Sequence, residues 1–268
     1  MISPDSASPL PASAGDPAPA PSSPVGAPVG LAGNTLFFVV VGIAGGAAAC
    51  VLMGLFENYF ELPSTVVTSG PAAMALMGNP EKTREVQELV RQVAYRNTLL
   101  AMGLLGTAIA GAFGLGEGLA RKSLRAAVLG TLWGIALGGA LGTLGGVALN
   151  VIDARFQQAA LDVLYRILTL HVAVFGLTGL AAGLATSLHT LHPQTIGRVT
   201  LMAVLGGCLG AILYIPLGVL LVFVSSSNQN QAIPDGTWNR LCWTLVAGVT
   251  IGALMGLARK RKSPVKAA

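Results

Sequence analysis

The chain has 268 residues and a mass of 27.2 kDa, with 10% charged and 53% hydrophobic residues and a mean hydropathy of +0.70. A soluble domain carries roughly 25% charged residues, so this chain lacks the charge to coat a water-exposed shell. The composition excludes an ordinary cytosolic enzyme, a nucleic-acid binder and a disulfide-stapled secreted domain, and it leaves a polytopic membrane protein.

Residues 1–33 hold eight prolines and no Lys or Arg. Such a stretch buries too little apolar surface to offset chain entropy, which predicts a disordered tail. With no basic start, it does not read as a signal peptide. Six apolar runs follow, predicting spans at about 35–56, 97–118, 126–149, 168–187, 199–224 and 241–258. Each has the length that crosses a hydrocarbon layer of about 30 Å as helix. Lipid offers the backbone no hydrogen-bond partners, so helix is the required conformation. The expected fold class is an all-α integral membrane protein with six transmembrane helices over 34–258, followed by a basic tail at 259–268.

Between the first two spans, Asn79-Pro80-Glu81 marks a helix start. That helix is predicted to run unbroken into the second span, reaching about 60 Å from Pro80 to Ala120. Residues 153–166 read as a shorter version leading into the fourth span, with Asn150 and Asp153 as caps of that helix. Pro216, two residues after Tyr214, predicts a kink in the fifth span.

The net charge is +5 and the pI about 9.4. Six spans put both termini on one side. That side carries nine basic residues against three acidic ones, whereas the other carries seven against eight. Arg121, Lys122, Arg125, Arg259, Lys260, Arg261 and Lys262 dominate the bias and predict cytoplasmic termini in a cell inner membrane. Cys50, Cys208 and Cys242 all lie in apolar runs and read as small buried hydrophobes.

The even-numbered spans end alike. Gly114 to Ala120, Gly179 to Ala185 and Gly252 to Ala258 share G-x-x-x-G-L-A, at offsets of 65 and 73 residues. The expectation is three helical hairpins in parallel orientation, around a pseudo-three-fold axis. Glycines four apart organise the packing: Gly130, Gly134, Gly138, Gly142 and Gly146 in the third span, and Gly248, Gly252 and Gly256 in the sixth. Without side chains there, helix backbones approach closely, which supplies association where lipid removes the hydrophobic drive. The third span is expected to be central. A glycine groove of this kind serves packing within one subunit, or assembly with a second copy or a membrane-protein partner.

The segment GLGEGLARKSLRAAVLG at 114–130, followed by the glycine ladder, resembles bacterial glycine-rich polytopic membrane proteins of unassigned role, some of which bear forkhead-associated domains. Gly114, Leu115, Glu117, Gly118, Ser123 and Arg125 carry the resemblance. It implies a bacterial inner membrane and no particular activity.

Three polar residues in or near the spans are candidates for proton or solute handling: Glu117, His171 and Tyr214. Against that, Arg121 stands at i+4 from Glu117, the order that favours an interfacial ion pair. His171 reads more simply as a hydrogen-bonded interfacial histidine. His189 and His192 share a helix end with no Cys, Asp or Glu beside them, a poor metal set. No hydrolase elbow, zinc-protease motif, phosphate loop or dinucleotide fingerprint occurs, so no catalytic residue, metal site or cofactor is expected. The partners expected are the lipid bilayer and another membrane protein or copy, not nucleic acid. The glycine seams, the few buried polar groups and the disordered tail favour a non-enzymatic structural or assembly bundle; the alternative is a small-solute or ion permease built from three repeated hairpins.

Overall fold

The computed structural model describes residues 31–62, 80–159, 163–188, 193–222, 233–234 and 236–259. Six helices make up nearly all of it: α1 (Leu31–Leu55), α2 (Pro80–Ala120), α3 (Leu124–Ala159), α4 (Val163–Ser187), α5 (Pro193–Val222) and α6 (Thr237–Ala258). Among the described residues there is no strand. All six helices are long and apolar enough to cross a membrane. The chain therefore has the architecture of a multi-pass membrane protein. Exposed side chains agree, since Leu129, Leu132, Trp133, Ile135 and Leu144 of α3 would form an apolar patch that water does not tolerate.

The helices form a closed ring. Each touches its chain neighbours, and α6 returns to pack on α1. The even-numbered helices α2, α4 and α6 also touch one another and so fill the interior. Burial decides this: 56%, 50% and 56% of their apolar windows are covered, against 39%, 28% and 39% for α1, α3 and α5. The third span is thus the most exposed helix, not the central one. Its glycine row explains the difference. Gly130, Gly134, Gly138, Gly142 and Gly146 all face α2, opposite Gly114, Ala110, Gly106, Met102 and Leu99 in turn. One narrow seam uses up the row, and the remaining faces of α3 point outward.

The closest pairs are α2 with α3, α4 with α5, and α6 with α1. All three seams are made of backbone. A Cβ on Gly114 or Gly118 would strike Gly130 or Ala127; on Gly179 or Gly183, Ala203 or Thr200; on Gly252 or Gly256, Phe38 or Thr35. At these positions even alanine would force the helices apart.

The helix α2 runs unbroken over 41 residues from Pro80 to Ala120, about 60 Å, as read from the sequence. Residues 153–166 differ from expectation. Those up to Ala159 continue α3, and only Val163 onward leads into α4. Asn150 and Asp153 consequently do not cap the next helix. Both sit inside α3, where Asn150 Nδ2 donates to the Gly146 carbonyl at 2.7 Å. Asp153 pairs with Arg166 of α4 at 3.0 Å and ties the two helices together. Pro216 lies within α5, which continues on both sides of it. The proline-rich tail, His189, His192, Lys260, Arg261 and Lys262 lie outside the described residues.

Candidate functional site

Two buried polar sites lie inside the bundle, near its opposite ends. The first is at the face where α1 begins and α6 ends. Glu117, in the last turn of α2, is only 2% exposed. Arg121, one turn further on, donates from Nε to Oε1 at 2.6 Å. Arg259, at the C-cap of α6, donates from a guanidinium nitrogen to the other carboxylate oxygen, Oε2. The same guanidinium lies over the Phe38 ring of α1 at 4.4 Å, close enough for a cation–π contact. Burial pushes the Arg259 pKa down to about 10, so the group stays charged at neutral pH. One carboxylate thus holds α2, α6 and α1 together. Two cations around one anion leave the cluster with a net positive charge.

Arg121 and Arg259 share a sequence position. Each directly follows G-x-x-x-G-L-A, and Thr186 holds that place in α4. Glu117 likewise corresponds to Ala182 and Met255, both fully buried. The three motif ends therefore carry one acid and two bases between them. A single clamp results in place of three repelling like charges.

The second site is towards the other face. His171 and Phe175 of α4, Tyr214 of α5 and Trp243 of α6 form a cluster of buried rings. Centroids lie 5.2 Å apart for His171 and Tyr214, 6.1 Å for His171 and Trp243, and 5.1 Å for Phe175 and Trp243. His171 Nδ1 is 2.8 Å from the Ile167 carbonyl, which can only accept, so Nδ1 carries the proton. Nε2 of the neutral ring is then an acceptor. Among the described residues neither it nor the Trp243 indole N–H has a hydrogen-bond partner. A buried acceptor and a buried donor are left unsatisfied in one cluster, each at a cost of about 1–3 kcal/mol.

Beyond this cluster, Arg240 of α6 meets Glu57 with a two-pronged pair at 2.8 and 3.0 Å. The Arg240 hydrogen bonds hold the Glu57 carboxyl below the usual range. Asn97 pins the same loop to α2, accepting from the Phe60 N–H at 3.0 Å and donating to the Phe60 carbonyl at 2.9 Å.

Glu117, His171 and Tyr214 do not form one site. His171 and Tyr214 pack together, while Glu117 lies at the other end of the bundle with Arg259. Arg121, Lys122 and Arg125 are exposed around the α2–α3 turn, where Lys122 adopts φ 53°. Several other hydroxyls within the spans bond to their own helix, whereas Thr107 of α2 donates across to the Ile135 carbonyl of α3 at 3.5 Å. Thr178, Thr186 and Thr250 donate to carbonyls of the preceding turn at 2.8–3.0 Å. Their hydroxyl hydrogens are thereby committed to the helix backbone. Among the described residues no three His, Cys, Asp or Glu side chains converge, and the three cysteines are free thiols.

Compared with family models, characterised proteins and solved structures, the chain matches none. Arg121 was legible in the sequence as the i+4 partner of Glu117, whereas the rings around His171 come from the fold alone. Trp243 and Arg240 carried no motif. Arg259 did carry a signal, its place just after the repeated motif, shared with Arg121.

Proposed function

We propose that the chain is a non-enzymatic structural bundle of a bacterial inner membrane, with both termini cytoplasmic. It is built from three repeats of an inner helix and an outer helix. What supports this is the common register of the three seams. Gly114 and Gly118 meet α3, Gly179 and Gly183 meet α5, and Gly252 and Gly256 meet α1, each at the same two motif positions. In this reading the third unit is completed by the first span of the chain. The repeat is then permuted: the hairpins that matter are α2–α3, α4–α5 and α6–α1.

A bundle packed this way is stiff. Backbone contacts leave little room for helices to slide, and the interior is filled by Phe113, Phe175, Ile109, Ile251 and Met255. The glycine seams are occupied within the chain, so an assembly partner would dock elsewhere. The test is reconstitution into vesicles. A structural bundle leaves the flux of ions and small solutes at the protein-free level.

A permease is the second reading. The unsatisfied His171 Nε2 and Trp243 Nε1 favour it, because a small polar solute could bridge acceptor and donor. Flux that disappears in His171→Ala and persists in Lys122→Gln would replace the first reading with the second. The orientation rests on nine basic residues against three on the side of the termini. Labelling of a cysteine placed near residue 260 from outside intact cells would reverse it.

A further inference from the structure

An open groove of about 1410 Å³ lies between the outward extension of α2 and the end of α3. Arg91 and Arg96 line it from α2, and Arg155 from α3. Gln92, Tyr95 and Asn150 add neutral donors. Two acids also border it, Asp153 and Glu88, and among the described residues only the first is in an ion pair. Asp153 pairs with Arg166, and Glu88 accepts from Gln92 at 3.4 Å. Among the described residues no carboxylate lies in ion-pair contact with Arg91, Arg96 or Arg155. Arg96 rests 6.0 Å from the Phe60 ring. Three arginines thus line one hollow, against a single carboxylate, Glu88, that no cation pairs among the described residues.

Height above the membrane narrows the ligand. The uncharged run of α2 starts at Asn97, which places Arg96 at the hydrocarbon boundary. Arg91 is five residues higher, or about 7.5 Å at the helical rise. Arg155 is six residues past Leu149, or about 9 Å above that level. The polar headgroup layer is roughly 5–8 Å thick on each side. The arginines therefore span the layer in which lipid phosphates lie. Guanidinium pairs suit phosphate oxygens through paired N–H donors.

We propose that this groove binds a phosphate-bearing anion, supplied either by a lipid headgroup or by a soluble phosphate compound. The site is independent of the structural reading above, since it lies outside the glycine-packed core.

The test uses the full chain. Retention of phosphatidylglycerol is read by native mass spectrometry after reconstitution in phosphatidylcholine vesicles with and without phosphatidylglycerol. Binding of inorganic phosphate is read by calorimetry in detergent. The expected result is that Arg91→Gln with Arg155→Gln weakens one of these by about tenfold or more. Loss of lipid retention identifies a headgroup as the source, and loss of phosphate binding identifies a soluble anion. Lys122→Gln, at the other face, serves as control and should leave both unchanged. The proposal is overturned if the wild type binds neither probe, if the groove variant matches the wild type for both, or if Lys122→Gln weakens binding equally. Should the Gln pair fail to fold, Arg91→Lys with Arg155→Lys decides. A several-fold loss supports paired-donor recognition, and full affinity contradicts it.

Discussion

Arg259 closes on the carboxylate of Glu117, 142 residues earlier in the chain, and so joins the end of the last span to the end of the second. Arg121 takes the other oxygen of the same carboxylate. Removing the shared anion should cost more than removing either cation. Glu117→Gln leaves two arginines facing each other, one of them largely buried, for which a loss of about 3 kcal/mol is expected. Arg121→Gln leaves Arg259 in place and removes a half-exposed partner, so about 1 kcal/mol or less is expected. Thermal unfolding in mild detergent should rank the variants in that order. A Glu117→Gln protein as stable as the wild type would mean that the clamp contributes nothing.

The glycines divide into two groups with opposite expectations. Gly106 and Gly138 face each other backbone to backbone, and a Cβ on either would overlap the other's carbonyl oxygen. Gly138→Ala should destabilise by about 1–3 kcal/mol. Gly54, in α1, has nothing within 4 Å of a Cβ. Gly54→Ala should be neutral or stabilising by up to about 1 kcal/mol, through helix propensity. Equal effects at the two positions would contradict the seams.

Glu57 gives a pH signature. Its carboxyl titrates below the usual range because Arg240 donates two hydrogen bonds to it. A depressed acid contributes stability that is complete above its unfolded pKa and is lost as pH falls through the folded value. The stability gap between wild type and Glu57→Gln should therefore be constant from neutral pH to about 5, and should shrink at lower pH. A gap that widens on acidification would reverse the sign.

His171 tests what occupies the ring cluster. His171→Phe keeps an aromatic ring and removes the unsatisfied acceptor, so it should be tolerated. His171→Ala opens a cavity and should cost about 2–4 kcal/mol. Melting temperatures of the two variants, with Trp243 fluorescence as a local reporter, give the comparison. If the Phe variant were the less stable of the two, Nε2 would have a polar partner that the ring cannot lose.

Much of this architecture was legible in the chain. Long uncharged runs announce the spans, and Asn79-Pro80-Glu81 announces the start of the long α2. The repeated G-x-x-x-G-L-A was also visible. Its partners were not, because a glycine row specifies how closely two helices approach and not which helix arrives. The same limit put α3 at the centre: five glycines signal one tight seam, and a helix with one tight seam can still face outward elsewhere. Asn150 and Asp153 suggested caps because the apolar run ends there. The helix continues past it, since leaving the hydrocarbon layer does not require the helix to stop. Arg259 read as a topology determinant, and its place after the repeated motif did not point to Glu117. Its charge is consumed by Glu117, a pairing that sequence separation conceals.

The closure of the ring by α1 on α6 is the point on which the permuted repeat depends. Native Cys50 of α1 lies with its Sγ 3.8 Å from the Thr237 carbonyl of α6, which allows a direct test. Thr237→Cys would be made in a Cys208→Ala, Cys242→Ala background, with a protease site placed in residues 63–79, and oxidised in native membranes. After cleavage, the fragment carrying α1 should stay joined to the remainder on a non-reducing gel and separate on reduction. Fragments that separate without reductant would show that the first span does not pack on the last, and the three-unit ring would fall.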